Sequence, residues 1–180
     1  CYTLGINLGA VDTVLDMGAS ITMATGFYQA YHQDEIKKPV IATIGDSTFY
    51  HSGTAGLLNG VYNKAKFILV ILDNSITAMT GMQPTVGTGE LSDGTEGNKV
   101  PLIDLVKGCG VTYIKELDPY ELSSFIPALK EAGEYTMKEN GGIAVIIAKH
   151  PCILHTKKKR KPSGKKVYIN DTCTGCKYCI

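Results

Sequence analysis

No apolar run in this chain approaches the roughly 20 residues that a membrane-spanning helix needs. The longest uncharged apolar runs, such as residues 67–72, fall far short of it, so a helical membrane span is not expected. Net charge is nearly absent too, +1 from 18 Lys+Arg against 17 Asp+Glu. The basic residues are unevenly spread: residues 1–156 carry −6 and residues 157–180 carry +7. The body therefore lacks the basic face that nucleic-acid binding requires. The start, Cys1-Tyr2-Thr3-Leu4-Gly5, has neither an initiator Met nor the positive region of a secretory leader, and a cytoplasmic protein is expected. Before residue 157 the cysteines are Cys1, Cys109 and Cys152 alone, too few for a disulfide framework.

What is present suits a packed core. Hydrophobic residues make up 44% of the chain, charged residues 19%, and mean hydropathy is +0.03, which excludes wholesale disorder. With 180 residues and 19.3 kDa, one domain plus a short appendage is expected. Both ends read as cut, because the chain opens at Cys1 and closes inside a cysteine motif. The expected division is a domain over residues 1–156, a basic linker over 157–166 and a cysteine-bearing tail over 167–180. Residues 157–166 are wholly Lys, Arg, Pro, Ser and Gly, a solvated composition that cannot pack. A nuclear-localisation signal is the alternative reading of that run.

Short apolar, β-branched runs at residues 39–44, 67–72 and 143–148 read as strands buried on both faces of a parallel sheet, and residues 111–115 as another. Helices are expected over 17–31, 52–64 and 101–108. A further helix is expected from an N-cap at Asp118, with Pro119 at its first position and Glu121 three residues after the cap, to about Lys138. Residues 167–169 read as a small strand. Alternating strands and helices argue for an α/β fold, a parallel sheet with helices on both faces. Residues 75–99 have no periodicity, and loops this long in compact domains are usually functional or disordered.

In an open parallel sheet, ligands bind at the carboxyl ends of the strands. Gly45-Asp46-Ser47 and Asp73-Asn74 sit at two such ends. A Gly there lets backbone approach a phosphate, and the helix that follows points its N-terminus at the same place. Asp46 adds a hard oxygen ligand suited to Mg²⁺, which is typically held by one or two carboxylates plus substrate phosphates. The plainer alternative is that Asp46 caps a helix and Asp73-Asn74 is only a turn.

These residues carry a resemblance. Gly45-Asp46-Ser47 followed by Leu72-Asp73-Asn74 is similar to the thiamine-diphosphate signature. Together with Cys1-Tyr2-Thr3-Leu4-Gly5, Met17-Gly18-Ala19-Ser20 and Asn74-Ser75-Ile76-Thr77-Ala78-Met79-Thr80-Gly81, it resembles the larger subunit of the indolepyruvate:ferredoxin oxidoreductases. The resemblance implies a thiamine-diphosphate-binding domain of the diphosphate half. It implies Mg²⁺ bound by the side chains of Asp46 and Asn74 and the carbonyl of Ile76, with Gly45 and Ser47 at the diphosphate and Thr48 also binding the cofactor. Cys1, Tyr2, Met17, Gly18, Ala19 and Ser20 would line the cofactor. Thr77, Ala78, Met79, Thr80 and Gly81 would lie near the thiazolium and substrate. The implied reaction is oxidative decarboxylation of 2-oxo acids, aryl pyruvates such as indolepyruvate, to acyl-CoA. Electrons would pass to ferredoxin through 4Fe–4S clusters, and the implied partners are a smaller (beta) subunit, ferredoxin and coenzyme A in an oligomer. The glutamate that activates the cofactor in the family has no candidate here, so the 180 residues alone are expected to be inactive.

Cys173-x-x-Cys176-x-x-Cys179 matches the opening of the bacterial ferredoxin run, the start of a 4Fe–4S domain. Half of a structural zinc site is the alternative. His51, five residues past Asp46, is a candidate for substrate contact or proton transfer, with a helix-start role as the alternative. Met79 and Met82 are candidates for packing under the cofactor rings, with plain loop packing as the default reading. Cys109 and Cys152 read as structural, and His32, His150 and His155 as surface or strand-end residues. Two other functions fit parts of the pattern: a non-oxidative thiamine-dependent decarboxylase, and an electron-transfer module with an inert α/β domain. The cysteine run counts against the first, and Asp46 with Asn74 against the second.

Overall fold

The computed structural model describes residues 2–157, 168–169 and 172–174, with residues 2–4, 155 and 157 described by backbone alone. Its centre is a four-stranded parallel sheet in the order β1-β2-β4-β3, built from β1 (Ile41–Gly45), β2 (Ile68–Asp73), β3 (Tyr113–Leu117) and β4 (Ala144–Lys149). Ile41 pairs with Ile68, Ile68 with Ala144, and Ala144 with Tyr113. The four expected strands are present, each within two residues of its expected start. The expected strand at residues 167–169 is not: Tyr168 and Ile169 carry no strand, and residue 167 lies outside the described residues.

One face of the sheet is covered by α2 (Ser20–Gln33), α4 (Thr54–Tyr62) and α5 (Leu102–Gly108). Ile21, Ala24, Leu57 and Val106 from these helices pack with Ala42, Ile44, Leu69, Ile71, Val145 and Ile147. The other face is covered by α6 (Leu122–Met137), whose Ala128 and Ala132 meet Ile68, Val70, Ala144, Ile146 and Ala148. Helices thus lie on both faces, but α6 does not extend over β1, whose Ile41 is 58% exposed. A short α1 (Tyr2–Asn7) opens the chain, and α7 (Ile153–Lys157) follows β4.

α2 starts at Ser20, three residues after the expected Met17, and two further helix starts differ from the sequence expectation. The helix after β1 begins at the strand end rather than at Ser52. It runs from α3 (Asp46–Thr48) through a π-helical segment (Phe49–Gly53) into α4. π-bulges insert an extra residue and concentrate at functional sites. Here the insertion turns the buried Phe49 into the core, and a Cβ at Gly53 would stand 2.7 Å from its ring and 3.0 Å from Ile44. Glycine is thus what lets this helix lie close on β1. The second difference is at α6, which starts at Leu122 and not at Pro119. Asp118 does not cap it, because its Oδ1 accepts from the N–H of Tyr120 in a local turn and its Oδ2 is engaged by His150.

Candidate functional site

The carboxyl ends of β1 and β2 are neighbours in the sheet, and the sequence motifs meet there. Gly45 is extended (φ −76°, ψ 152°) and delivers Asp46 as the first residue of α3. Asp46 is 4% exposed. Its carboxyl is pushed up to about 6, first by burial and then by the neighbouring Asp73 carboxylate, against the pull of the Ser47 and Ser75 N–H groups. Two adjacent acids, one of them buried, form a site that disfavours its own ionisation unless a cation supplies the missing charge.

The turn after β2 is built by its own side chains. Asp73 Oδ1 accepts from the N–H and the hydroxyl of Ser75 at 2.9 and 3.1 Å, and Asn74 Oδ1 accepts from the N–H of Ile76 at 3.1 Å. This folds Ser75 into the left-handed region at φ +59° and buries Ile76. The Ile76 carbonyl accepts from the N–H of Ala78 at 3.0 Å. Thr77 bridges back: its N–H donates to the Gln83 carbonyl, and its hydroxyl lies 2.9 Å from that of Ser47. Thr80 donates to Gln83 Oε1 at 2.6 Å, is exposed, and begins a reversal through Gly81 at φ +125°. Ala78 and Met82 are half-buried and Met79 is 78% exposed.

The segment before α2 reaches the same helix from the other side. Gly18 (φ +103°) is so close to the π-helical segment that a Cβ there would lie 2.5 Å from Ser52 Oγ and 3.7 Å from Thr48 Cγ2. Ala19 precedes the first residue of α2, Ser20, whose buried hydroxyl has no hydrogen-bond partner. Met17 is 63% exposed. His51 sits on the π-helical segment with its side chain exposed. Cys1 lies outside the described residues, as do Cys176 and Cys179, and Tyr2 is described by backbone alone. Cys173 is exposed.

Sequence reasoning missed Tyr50. Its hydroxyl donates to the Val100 carbonyl at 2.7 Å and ties the 75–99 loop to the helix after β1. Burial, with Asp73 and Asp46 nearby, pushes its hydroxyl up to about 12, so it remains a donor at neutral pH. Nothing local in the sequence marks a contact across 50 residues.

The donor set fits a small hard cation next to an anion. One buried carboxylate, one carboxamide and one backbone carbonyl stand at or just past the ends of two neighbouring strands. Asn74 Oδ1 and the Ile76 carbonyl each accept one internal hydrogen bond and keep a second lone pair. Among the described residues no group of three or more His, Cys, Asp or Glu could hold a metal ion. The orphaned Ser20 hydroxyl is a buried polar group in want of a partner.

Residues 9–148 match the family model for the thiamine pyrophosphate enzyme, C-terminal TPP binding domain. The chain belongs to this family. It is 42% identical to the indolepyruvate oxidoreductase subunit IorA of Archaeoglobus fulgidus, over 100% of this chain and 28% of that protein. Against the same subunit from Thermococcus kodakarensis it is 37% identical, over 100% of this chain and 29% of that protein. The chain thus spans under a third of the length of these curated relatives. Among solved structures, the 2-oxoglutarate:ferredoxin oxidoreductase of Magnetococcus marinus superposes with a TM-score of 0.61 at 17% identity, covering 75% of this chain and 45% of that one. Benzoylformate decarboxylase of Polynucleobacter necessarius superposes at 0.53 with 17% identity, over 73% and 23%. The parallel sheet with helices on both faces is therefore the fold of thiamine-diphosphate-binding enzymes. No helix among the described residues is long and apolar enough to cross a membrane.

Proposed function

We propose that this chain is the diphosphate-binding part of a 2-oxo acid oxidoreductase of the indolepyruvate type. The observation that carries the reading is the buried Asp46, its carboxyl pushed up to about 6, facing the Asn74 turn at the next strand end. That environment is costly for a carboxylate alone and favourable for one that ligates a cation. Family membership and the whole-chain match to indolepyruvate oxidoreductase subunits support the cofactor and the reaction class.

In this reading Asp46, Asn74 and the Ile76 carbonyl would hold Mg²⁺, which would supply the positive charge that a diphosphate needs at these strand ends. Gly45, Ser47 and Thr48 present backbone and hydroxyl donors of the first turn of α3 to the diphosphate. Gly18, Ala19 and Ser20 would meet the cofactor from the α2 side, where the Ser20 hydroxyl has no hydrogen-bond partner of its own, and Met17, Cys1 and Tyr2 are proposed to line it as well. Thr77, Ala78, Met79, Thr80 and Gly81 form the wall nearest the substrate, and His51 is placed for substrate contact from the π-helical segment. When bound, thiamine diphosphate supplies the nucleophilic carbon and the electron sink for loss of CO₂ from a 2-oxo acid.

The proposed reaction is oxidative, giving acyl-CoA from aryl pyruvates with electrons leaving through a 4Fe–4S domain begun by Cys173, Cys176 and Cys179, toward ferredoxin. Residues 1–156 are the cofactor domain and 157–166 the linker to that cluster domain. A beta subunit and a cytoplasmic setting complete the proposal. The test is calorimetric titration of the intact protein with thiamine diphosphate, with and without Mg²⁺, on wild type and Asp46→Ala, followed by indolepyruvate- and coenzyme A-dependent reduction of a viologen dye. Mg²⁺-dependent binding lost in the variant supports the site. Binding that ignores both Mg²⁺ and the substitution overturns it, and CO₂ release with no dye reduction would point to the non-oxidative decarboxylase instead.

A further inference from the structure

The ladder between β2 and β4 ends at the pair Asp73–Lys149, yet two more hydrogen bonds extend it over the site. The N–H of His150 donates to the Asp73 carbonyl at 3.0 Å, and the N–H of Cys152 donates to the Asn74 carbonyl at 3.1 Å. Pro151, between them, has no N–H to offer. The segment 150–152 therefore grips the backbone of the two residues that form the turn after β2, including the proposed ligand Asn74.

What holds that segment in place comes from the far edge of the sheet. His150 Nδ1 is 3.0 Å from Asp118 Oδ2, and the Tyr120 ring stands edge-on to the imidazole at 4.5 Å. Asp118 is itself fixed, since its Oδ1 accepts from the Tyr120 N–H at 2.9 Å and its carbonyl from the Glu121 N–H at 3.1 Å. This clasp explains why Asp118 does not cap α6. It also spends an imidazole–carboxylate pair on a half-exposed strand end that has no role in the core. The pair is laid against the backbone segment that donates to the Asp73 and Asn74 carbonyls.

We infer that Asp118 and His150 are positioning residues that hold the Asp73–Asn74 turn, through the 150–152 backbone, in the conformation that ligates the cation. The inference rests on the Mg²⁺ reading of Asp46 and Asn74. Without the clasp, the 150–152 segment and the two carbonyls it grips are free to shift, so Asn74 must be reordered by the cation itself. Mg²⁺ is then required at higher concentration, while the diphosphate contacts at α3 are unchanged. A ligand-orienting partner outside the first shell typically changes metal affinity by about 10- to 100-fold. Acting through one further backbone link, this clasp should change it by roughly 3- to 10-fold.

The test titrates thiamine diphosphate into the intact protein across a range of Mg²⁺ concentrations, with melting temperature recorded alongside, for wild type, His150→Ala, Asp118→Ala and His150→Asn. Asp118→Ala cuts the same contact from its exposed end and serves where His150→Ala fails to fold. The expected result is a Mg²⁺ half-saturation raised roughly 3- to 10-fold in both alanine variants, with wild-type cofactor affinity restored at saturating Mg²⁺. His150→Asn, whose carboxamide N–H can replace Nδ1–H toward Asp118, should recover most of the loss. A fall in melting temperature with unchanged Mg²⁺ half-saturation would show a purely structural contact and overturn the inference. Wild-type binding that is itself independent of Mg²⁺ would overturn the metal reading, and the inference with it.

Discussion

The hydroxyls of Ser47 and Thr77 lie 2.9 Å apart, joining the first turn of α3 to the segment that follows Asn74. The bond ties together the segments that follow two neighbouring strand ends, so each hydroxyl holds the other in place. Ser47→Ala and Thr77→Val should each lower stability by about 1 kcal/mol, the usual net value of such a bond. The double variant should cost clearly less than the sum of the two. Urea unfolding of the four proteins measures the coupling, and strictly additive losses would show that the bond contributes nothing.

Asp46 makes the site sensitive to pH. Its folded-state carboxyl is raised from 3.8 to about 6, so the folded chain holds that proton more tightly than the unfolded one. In the absence of a cation, stability should therefore fall as pH rises from about 4 to about 6 and stay at the lower level above that. Asp46→Asn removes the penalty. The variant should melt higher than wild type at pH 7 without Mg²⁺ and lose that advantage near pH 4. Because Mg²⁺ must displace the proton, its affinity should drop about tenfold per pH unit below about 6. A wild type and variant that keep the same melting difference from pH 4 to pH 8 would contradict the assignment.

The strands were legible because residues 67–72 and 143–148 are continuous apolar runs, and only a strand covered on both faces needs that. The strand-end positions of Asp46 and Asn74 were legible for the same reason, since each is separated by a single residue from such a run, at 39–44 and 67–72. The π-helical segment was not, because Phe49–Gly53 carries no periodicity that separates five residues of π-helix from α-helix. The start of α6 was misread because Asp118 and Glu121 satisfy a local capping rule, while the contact that decides the outcome comes from His150, 32 residues away. Tyr50 escaped notice for a similar reason, its partner being a backbone carbonyl at Val100. Local chemistry was readable where one residue and its neighbours determine the result, and not where a distant strand does.

Gly18 allows the segment before α2 to approach the π-helical turn. An alanine there must both adopt φ +103° and place its Cβ 2.5 Å from Ser52 Oγ. Gly18→Ala should cost about 1–3 kcal/mol from backbone strain, with the clash in addition. Ser52→Ala in the same protein removes the clash and leaves the strain, so the double variant should regain only part of the loss. Denaturant midpoints measure this. Full recovery in the double variant would mean that the left-handed backbone carries no cost.

The long loop after β2 is held at its far end by the hydrogen bond from Tyr50 to the Val100 carbonyl. Tyr50→Phe keeps the ring in place and deletes only the hydroxyl, at a net cost of about 1 kcal/mol. If that bond holds the loop down, the cost should be paid locally. Limited proteolysis within residues 86–99 should then accelerate about fivefold, the equivalent of that free energy, with little change in the global melting temperature. Gly87 provides an independent check, because a Cβ there would stand 2.9 Å from the Tyr50 hydroxyl and 3.0 Å from its ring. Gly87→Ala should loosen the loop in the wild-type background and have a smaller effect beside Phe, where the nearer of those two contacts is gone. Equal effects in both backgrounds, or a proteolysis rate unmoved by Tyr50→Phe, would show that the loop is held by something other than this contact.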